Sequence, residues 1–299
     1  MDCLTIHLTI EQLLRFLEED LGFGDITSEL LIPKDLKAKG VIVAKENGVV
    51  AGVEEAEMLF KHFGVDVKIN RRDGDAVNPG DVILEVEGKA RSILMVERTV
   101  LNIMMRMSGI ATETRNLVEK VRRAGLNVRI AATRKTAPGL RALDKKAVIL
   151  GGGEPHRLRL DDAVLIKDNH ITLVGSVREA VQRARENISF IKKVEVEAKT
   201  VSEALEASES GADILMLDNM KPEQIREVIQ RLKDKGLYGR VLLEASGGIN
   251  PTNILEYAST GVHVISLGYL THSAKALDMS LEITAKYVET NNCKSENNK

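Results

Sequence analysis

The sequence predicts an α/β protein in which a small mixed domain precedes an α/β barrel, and three observations carry that expectation. From Val128 onward, short β-branched runs alternate with amphipathic helical segments every roughly 20 to 30 residues, the pattern of repeated βα units around a parallel sheet. Lys167, Glu197, Asp218, Ser246 and Gly268 each fall at or just past the C-terminal end of a different strand, where a barrel gathers its site. Residues 1 to about 110 lack this alternation and carry paired turns instead. An open doubly wound sheet also fits the alternation, but its ligand would sit at one switch point. Five consecutive units contributing to one mouth favour the barrel.

In the N-terminal part, "GDAVNPGDVILEVEG" combines Gly-Asp turns, Asn78-Pro79-Gly80 and an alternating strand, which predicts hairpins. Biotinyl and lipoyl carrier domains use a similar hairpin, but no modifiable Lys stands in a matching tight turn. The stretch "SILMVERTVLNIMMRMSGIATETRNLVEKVRRAG" is helical, with Val96, Val100, Ile103, Met107 and Ile110 on one stripe and Ser108-Gly109 marking a break or close packing. It is expected to connect a first domain, residues 1–112, to a second, 113–273. A C-terminal helix over 274–290 is expected to pack on the first domain, and the polar tail 291–299 is expected to be disordered.

In the second domain the expected strands are 128–133, 163–168, 190–198, 212–218, 241–246 and 263–268. Between them, Val177, Ala180, Val181 and Ala184 share one helical face, as do Ile225, Val228, Ile229 and Leu232. The latter helix opens on Pro222 and closes on Gly236.

Composition removes several function classes. With 43% hydrophobic and 29% charged residues, the 299-residue chain has a globular balance. A formal net charge of -2 gives no global basic field for nucleic acid, and 3% aromatics without Trp offer no stacking platform for single strands. No apolar run approaches the ~20 residues that cross a bilayer. The acidic start does not read as a secretion signal, and Cys3 and Cys293 lie far apart without metal-type spacing. A reduced cytoplasmic compartment is the expectation.

Against that neutral background, "AATRKTAPGLRALDKKAVILGGGEPHRLRL" (131–160) is dense in cations. Arg134 and Lys135 follow a strand, His156 and Arg157 follow "GGGEP", and Lys167 ends the next strand. A lone Arg or Lys is ordinarily a solvated surface charge. Charges that interrupt or terminate apolar strands, however, are costly unless an anion meets them, and Arg offers a planar fork for carboxylate. The cluster therefore suggests a ligand with more than one carboxylate or phosphate.

Among the acids, "KKVEVEA" holds Glu195 and Glu197, of which only one is expected to face the mouth, Glu197 being nearer the strand end. Asp218 ends the apolar strand "ILMLD". Carboxylates on neighbouring strands can hold Mg²⁺, stabilise a cationic transition state or work as an acid/base pair, and an ion pair to Lys167 or Arg134 is the structural alternative. Gly247, Gly248 and Gly268 fall in the last βα loops, where barrels often cradle phosphate with backbone N–H groups. "LGGGEPHR" lacks a nucleotide-binding fingerprint and more plainly lets backbone approach a ligand. A phosphorylated sugar with a polyanionic second substrate fits such a site.

Together, "ERTVLN", "SGIATET", "TRKTAPGLRALDKKAV", "GGGEPHR", "LIKDNH", "EVEA", "LDN", "SGGI" and "TGVHVISLGYLTHS", with "LEEDLGFGDITSELL" near the start, resemble the quinolinate phosphoribosyltransferase family. The resemblance spans nearly the whole chain. It implies an incomplete, seven-stranded α/β barrel with an N-terminal α/β sandwich-like domain. The implied reaction joins quinolinate and 5-phosphoribosyl 1-pyrophosphate with Mg²⁺, giving nicotinate mononucleotide, carbon dioxide and pyrophosphate in NAD biosynthesis. It further implies that Thr133, Arg134, His156, Arg157 and Lys167 hold quinolinate, with Arg98 reaching in from a neighbouring subunit of a homodimer or larger assembly. Lys135 would bind the phosphoribosyl donor, and Ser246, Gly247, Gly248, Gly268 and His272 its 5-phosphate. Glu197 and Asp218 would face the ribose and the metal, and with Lys135 they form the expected catalytic set. Nicotinate phosphoribosyltransferase, a non-catalytic phosphosugar-binding protein and a glycosidase are the rivals; the first and last need fewer cations, and the second needs no acids. His170 follows a strand end beside Lys167, while His7, His62 and His263 read as surface or packing residues.

Overall fold

A computed structural model describes residues 6–288 of the chain. It divides into two compact units, one made of residues up to Gly109 together with those from Lys275, the other of Ile110–Ala274. Cys3, Cys293 and the tail 291–299 lie outside the described residues.

The first unit begins with α1 (Ile10–Leu21), α2 (Ile26–Leu31), β1 (Leu36–Ala44), β2 (Gly48–Val49), α3 (Val53–His62), β3 (Asp66–Ile69), β4 (Ala76–Val77), β5 (Val82–Lys89) and the N-terminal part of α4 (Ala90–Arg123). The second contains the rest of α4, then β6 (Arg129–Ala131), α5 (Arg141–Leu150), β7 (Val164–Ile166), α6 (Asp168–Val174), α7 (Val177–Asn187), β8 (Val194–Ala198), α8 (Val201–Glu209), β9 (Ile214–Asp218), α9 (Pro222–Asp234), β10 (Leu242–Ser246), α10 (Ile254–Ala258), β11 (Val264–Ser266) and α11 (Tyr269–His272). The chain then returns to the first unit with β12 (Met279–Val288).

Among the described residues, the first unit holds an antiparallel sheet in the order β12-β1-β5-β3. Two sequence expectations are corrected here. The segment 274–290 carries a strand in place of the expected helix: Met279, Leu281 and Ile283 alternate with Ser280, Glu282 and Thr284, the period of a strand. β1 offers an edge that this segment pairs with from Leu36↔Val288 to Ala44↔Met279. The short β4 pairs with β2 and does not fold back on β5. The turn at Asn78–Asp81, pinned by the Gly80 amide on the Ala44 carbonyl at 2.8 Å, sends β5 into the larger sheet. Ser108-Gly109 marks close packing within an unbroken α4. Ser108 Oγ accepts the Ala51 amide at 2.8 Å, and a β-carbon on Gly109 would overlap the Lys275 carbonyl.

In the second unit, again among the described residues, six parallel strands run in the order β6-β11-β10-β9-β8-β7. A single parallel bridge between Ala131 and Glu154 adds a seventh stave, one residue long, beside β6. The arrangement is that of an incomplete barrel, with β7 and Glu154 as its two open sides. Helices cover the strands because their apolar stripes have nowhere else to go: Val177, Ala180 and Val181 of α7 and Ile225, Val228, Ile229 and Leu232 of α9 are all buried. Ser176 and Thr200 cap α7 and α8 by accepting amides three residues on, and Pro222 stands in the first turn of α9. Val194, Val196, Leu215, Leu217, Leu243, Ala245 and Ile265 are buried on the opposite strand faces from the cavity residues, towards the helices. Fully burying each Val, Leu or Ile contributes about 1.5–3 kcal/mol.

Parallel register is what positions the site. Asp218 stands opposite Ser246, Ser246 opposite Ser266, and Ser266 opposite Ala131. The strand ends are level, so residues that look scattered in sequence open onto one mouth. Among the described residues, no helix is long and apolar enough to cross a membrane.

Candidate active site

A cavity of about 300 Å³ opens at that mouth, lined by Thr133, Arg134, Lys135, His156, Arg157, Lys167, Glu197, Asp218 and Ser246 together with Leu165, Met216 and Ser266. The first nine are site residues expected from the sequence. Gly247, Gly248, Gly268 and His272 lie beside the lining. A β-carbon on Gly268 would meet Lys135 Cδ at 3.0 Å and the His272 ring at 2.9 Å, so the close approach of these three groups requires glycine there. Arg98 is exposed on the part of α4 that belongs to the first unit.

One wall is cationic. Arg134 and Arg157 are both partly buried, and burial, reinforced by the charge of Arg134, disfavours the cation at Arg157. Arg134 Nε is buried without a hydrogen-bond partner, and so is Ser266 Oγ. An unmet buried donor costs about 1–3 kcal/mol, and both residues line the one cavity. Lys135 is held at its backbone: its amide donates to Thr133 Oγ1 at 3.1 Å, and its carbonyl accepts Thr271 Oγ1–H at 2.7 Å.

The acids line the same cavity. Glu197, nearly buried, accepts from Lys167 Nζ at 2.9 Å, and Asp218 accepts from Asn219 Nδ2 at 2.7 Å. The ion pair weighed from sequence for Glu197 is thus present, and both partners still line the cavity. Lys167 is itself fixed by His170, whose Nδ1 accepts the Lys167 amide at 2.9 Å at the start of α6.

Glu195 overturns the expectation that only one of the pair faces inward. Residues two apart on a strand share a face, so both carboxylates enter the barrel, Glu197 at the rim and Glu195 one layer deeper. There Glu195 Oε1 and Glu244 Oε2 lie 3.5 and 3.3 Å from His156 Nε2. Burial alone would lower the His156 pKa, but hydrogen bonds and charge from the two carboxylates reverse this and lift it to about 9. The Arg157 amide donates to Nδ1 at 2.8 Å and opposes a second proton. Burial pushes the Glu195 carboxyl up, with His156 pulling it partly back. His156 has φ 53°, one of two non-glycine residues with positive φ among those described. His156, Glu195 and Glu244 are close enough to hold a cation, but the charge of Arg157 already acts on Glu195.

Glu195, Glu244, Ser266 and Thr271 were missed from sequence. For the first three the signal existed: each stands two residues before a picked position, Glu197, Ser246 or Gly268, and so shares its face.

The arrangement brings cationic side chains and two carboxylates to one cavity. Comparisons with known proteins agree with it. The model of the quinolinate phosphoribosyl transferase C-terminal domain matches residues 110–282, and that of its N-terminal domain matches 25–108. A probable nicotinate-nucleotide pyrophosphorylase [carboxylating] of Methanothermobacter thermautotrophicus is 53% identical over 264 residues, covering 88% of this chain and 95% of that one. The Rattus norvegicus nicotinate-nucleotide pyrophosphorylase [carboxylating] is 40% identical over 271 residues, covering 91% and 89%. The crystal structure of NadC from Streptococcus pyogenes superposes with a TM-score of 0.86 at 38% identity, covering 95% of this chain and 99% of that one. The chain belongs to the quinolinate phosphoribosyltransferase family.

Proposed function

We propose that this chain converts quinolinate and 5-phosphoribosyl 1-pyrophosphate to nicotinate mononucleotide, carbon dioxide and pyrophosphate, the decarboxylating step of NAD biosynthesis. The observation that carries the proposal is the gathering of Arg134, His156, Arg157 and Lys167 with Glu197 and Asp218 around one cavity, Lys167 and Glu197 as an ion pair. Quinolinate is a dianion, and a cluster of cationic groups around one cavity suits its two carboxylates. A monocarboxylate would call for fewer cations than this cluster supplies.

The chemistry follows from this arrangement. As the bond from ribose C1 to pyrophosphate breaks, positive charge grows on the ribose ring, and Glu197 and Asp218 stabilise it electrostatically while the quinolinate nitrogen bonds to C1. Lys135 attends the departing anion. The alkylated ring nitrogen is cationic and accepts the electron pair released when the bond to the adjacent carboxylate breaks; carbon dioxide leaves and a proton takes its place at carbon. Arg134, His156, Arg157 and Lys167 orient the ring. Backbone amides around Ser246, Gly247, Gly248 and Gly268, with His272, are suited to the 5-phosphate.

Mg²⁺ fits this donor set. Asp218 is a hard oxygen ligand at the rim whose carboxylate keeps lone pairs free, Glu197 is beside it, and Mg²⁺ commonly takes one or two carboxylates and completes its shell with water and phosphate oxygens. When bound, it neutralises charge on the leaving pyrophosphate. Activity in the cytoplasm as a homodimer or larger assembly completes the proposal, with Arg98 supplied to the quinolinate pocket by another copy. Arg98 is exposed, and the same unit displays Phe23, Ile26, Leu30 and Leu31 to solvent, an apolar set suited to cover by another chain.

The test compares quinolinate with nicotinate under saturating donor and Mg²⁺. Turnover with quinolinate alone is expected. Turnover with nicotinate alone would assign the cations to phosphate and refute the dicarboxylate reading.

A further inference from the structure

Lys145 lies on the inner side of α5, outside the cavity lining, and is fully buried. An enclosed ammonium is stable only with good partners. Its charged neighbours are mostly hostile: burial, Arg141, Arg134 and Arg157 all disfavour its cation, Asp162 alone favours it, and its pKa falls to about 8. A lysine of lowered pKa can act as a base, but this one is turned away from the cavity.

Its partners are two backbone carbonyls. Nζ donates to the Pro155 carbonyl and, at 3.3 Å, to that of Arg157. These carbonyls belong to the residues immediately before and after His156, the residue held at φ 53°. A left-handed conformation is unfavourable for a side chain with a β-carbon, and persists only where surrounding contacts over-determine it. One ammonium gripping the chain on both sides of the reversal supplies that determination. The reversal carries the His156 ring to Glu195 and Glu244, while Arg157 Nη1 donates to the Ala163 carbonyl at 3.3 Å and Arg157 still lines the cavity.

We propose that Lys145 is a positioning residue for the dicarboxylate half of the site: its buried ammonium clamps the Pro155–Arg157 turn so that His156 and Arg157 are presented together. The proposal rests on the assignment of those two residues to quinolinate. A lysine suits the task because its three donors and compact charge can satisfy two carbonyls at once.

The test uses Lys145→Met, which removes the donors while keeping length, and Lys145→Gln, which keeps an N–H donor without charge. Removing a cation from among three arginines offsets part of the loss in stability, and Lys145→Gln carries the same test if the Met variant does not fold. With Lys145→Met, the KM for quinolinate rises about tenfold or more while that for the phosphoribosyl donor stays within about twofold, and Lys145→Gln falls between Met and wild type. A second readout needs no turnover. In protein labelled with ¹³C-histidine, the His156 ring resonance, assigned by its loss in His156→Asn, shifts in Lys145→Met while those of His62 and His263 stay in place. An unmoved His156 resonance overturns the clamp whatever the substrate proves to be. Equal changes in both KM values would reduce Lys145 to general support of the fold and also overturn it. If wild-type protein fails to turn over quinolinate but the resonance shifts, the substrate assignment falls and the clamp stands.

Discussion

Replacing Gly247 by alanine tests the donor side of the site. Gly247 follows β10 with φ 90°, and its neighbour across the register, Asn219, follows β9 with φ 55°. The Asn219 amide donates to the Ser246 carbonyl at 2.8 Å, which pins the two strand ends together. A β-carbon on Gly247 would overlap the Asn219 side-chain oxygen and stand 2.6 Å from Asn219 Cγ and 2.8 Å from its backbone nitrogen. Turning the Asn219 side chain relieves the first overlaps but breaks its 2.7 Å hydrogen bond to Asp218. The backbone contact is relieved only by moving the loop. A left-handed alanine costs about 1 kcal/mol, and the displacement adds about 1–2 kcal/mol, for a total of about 2–3 kcal/mol. At about 2–4 °C per kcal/mol for a protein of this class, Tm falls by roughly 4–12 °C. Gly248→Ala is the control, because its φ is 65° but nothing lies within 4 Å of the new carbon, so it isolates the conformational part at about 1 kcal/mol. Scanning calorimetry gives the first number and donor-varied kinetics the second, with a raised donor KM expected for Gly247→Ala. A Tm and donor KM equal to those of Gly248→Ala would refute the argument from packing.

Further outcomes follow from the same geometry. Arg134→Ala removes a guanidinium that lines the cavity and whose buried Nε is unmet, so the KM for quinolinate rises about 30- to 150-fold, from about 2–3 kcal/mol of charge-assisted bonding, with a smaller change for the donor. Glu244→Gln takes away one of two carboxylates that hold the His156 proton. In the wild type, that raised pKa contributes stability fully present below about pH 6.5 and lost as pH rises through about 9; in the variant, thermal melts across this range lose stability earlier and by less. Glu195 still acts on His156, so the midpoint moves without collapsing. Lys167→Met strands the buried Glu197 carboxylate, and quinolinate turnover and stability fall together. Asp218→Asn weakens activation by Mg²⁺, read as a rise in the metal concentration needed for half-maximal rate.

Most of the barrel was legible because its strands are short apolar runs between capped helices, a local signal. "ILMLD" could only be a buried strand, and the level register then brought Asp218 and Ser246 to one rim. What failed was non-local or one step removed from local. The C-terminal strand pairs with a segment more than 200 residues earlier, and its neighbours in sequence give no hint of that edge. Glu195 was misplaced by treating alternate residues as opposite faces. Lys145 belonged, from sequence, to a basic run; only the folded turn shows it gripping both sides of His156. The left-handed backbone of His156 has no sequence signature, since any reader expects glycine there.

The central claim is that a dianion is bound by this wall and loses one carboxylate. Quinolinate labelled in the carboxylate next to the ring nitrogen, turned over with the phosphoribosyl donor and Mg²⁺, tests it most directly. Labelled carbon dioxide, pyrophosphate and nicotinate mononucleotide should appear in equal amounts. Nucleotide that retains the label, or pyrophosphate released without carbon dioxide, would contradict the account.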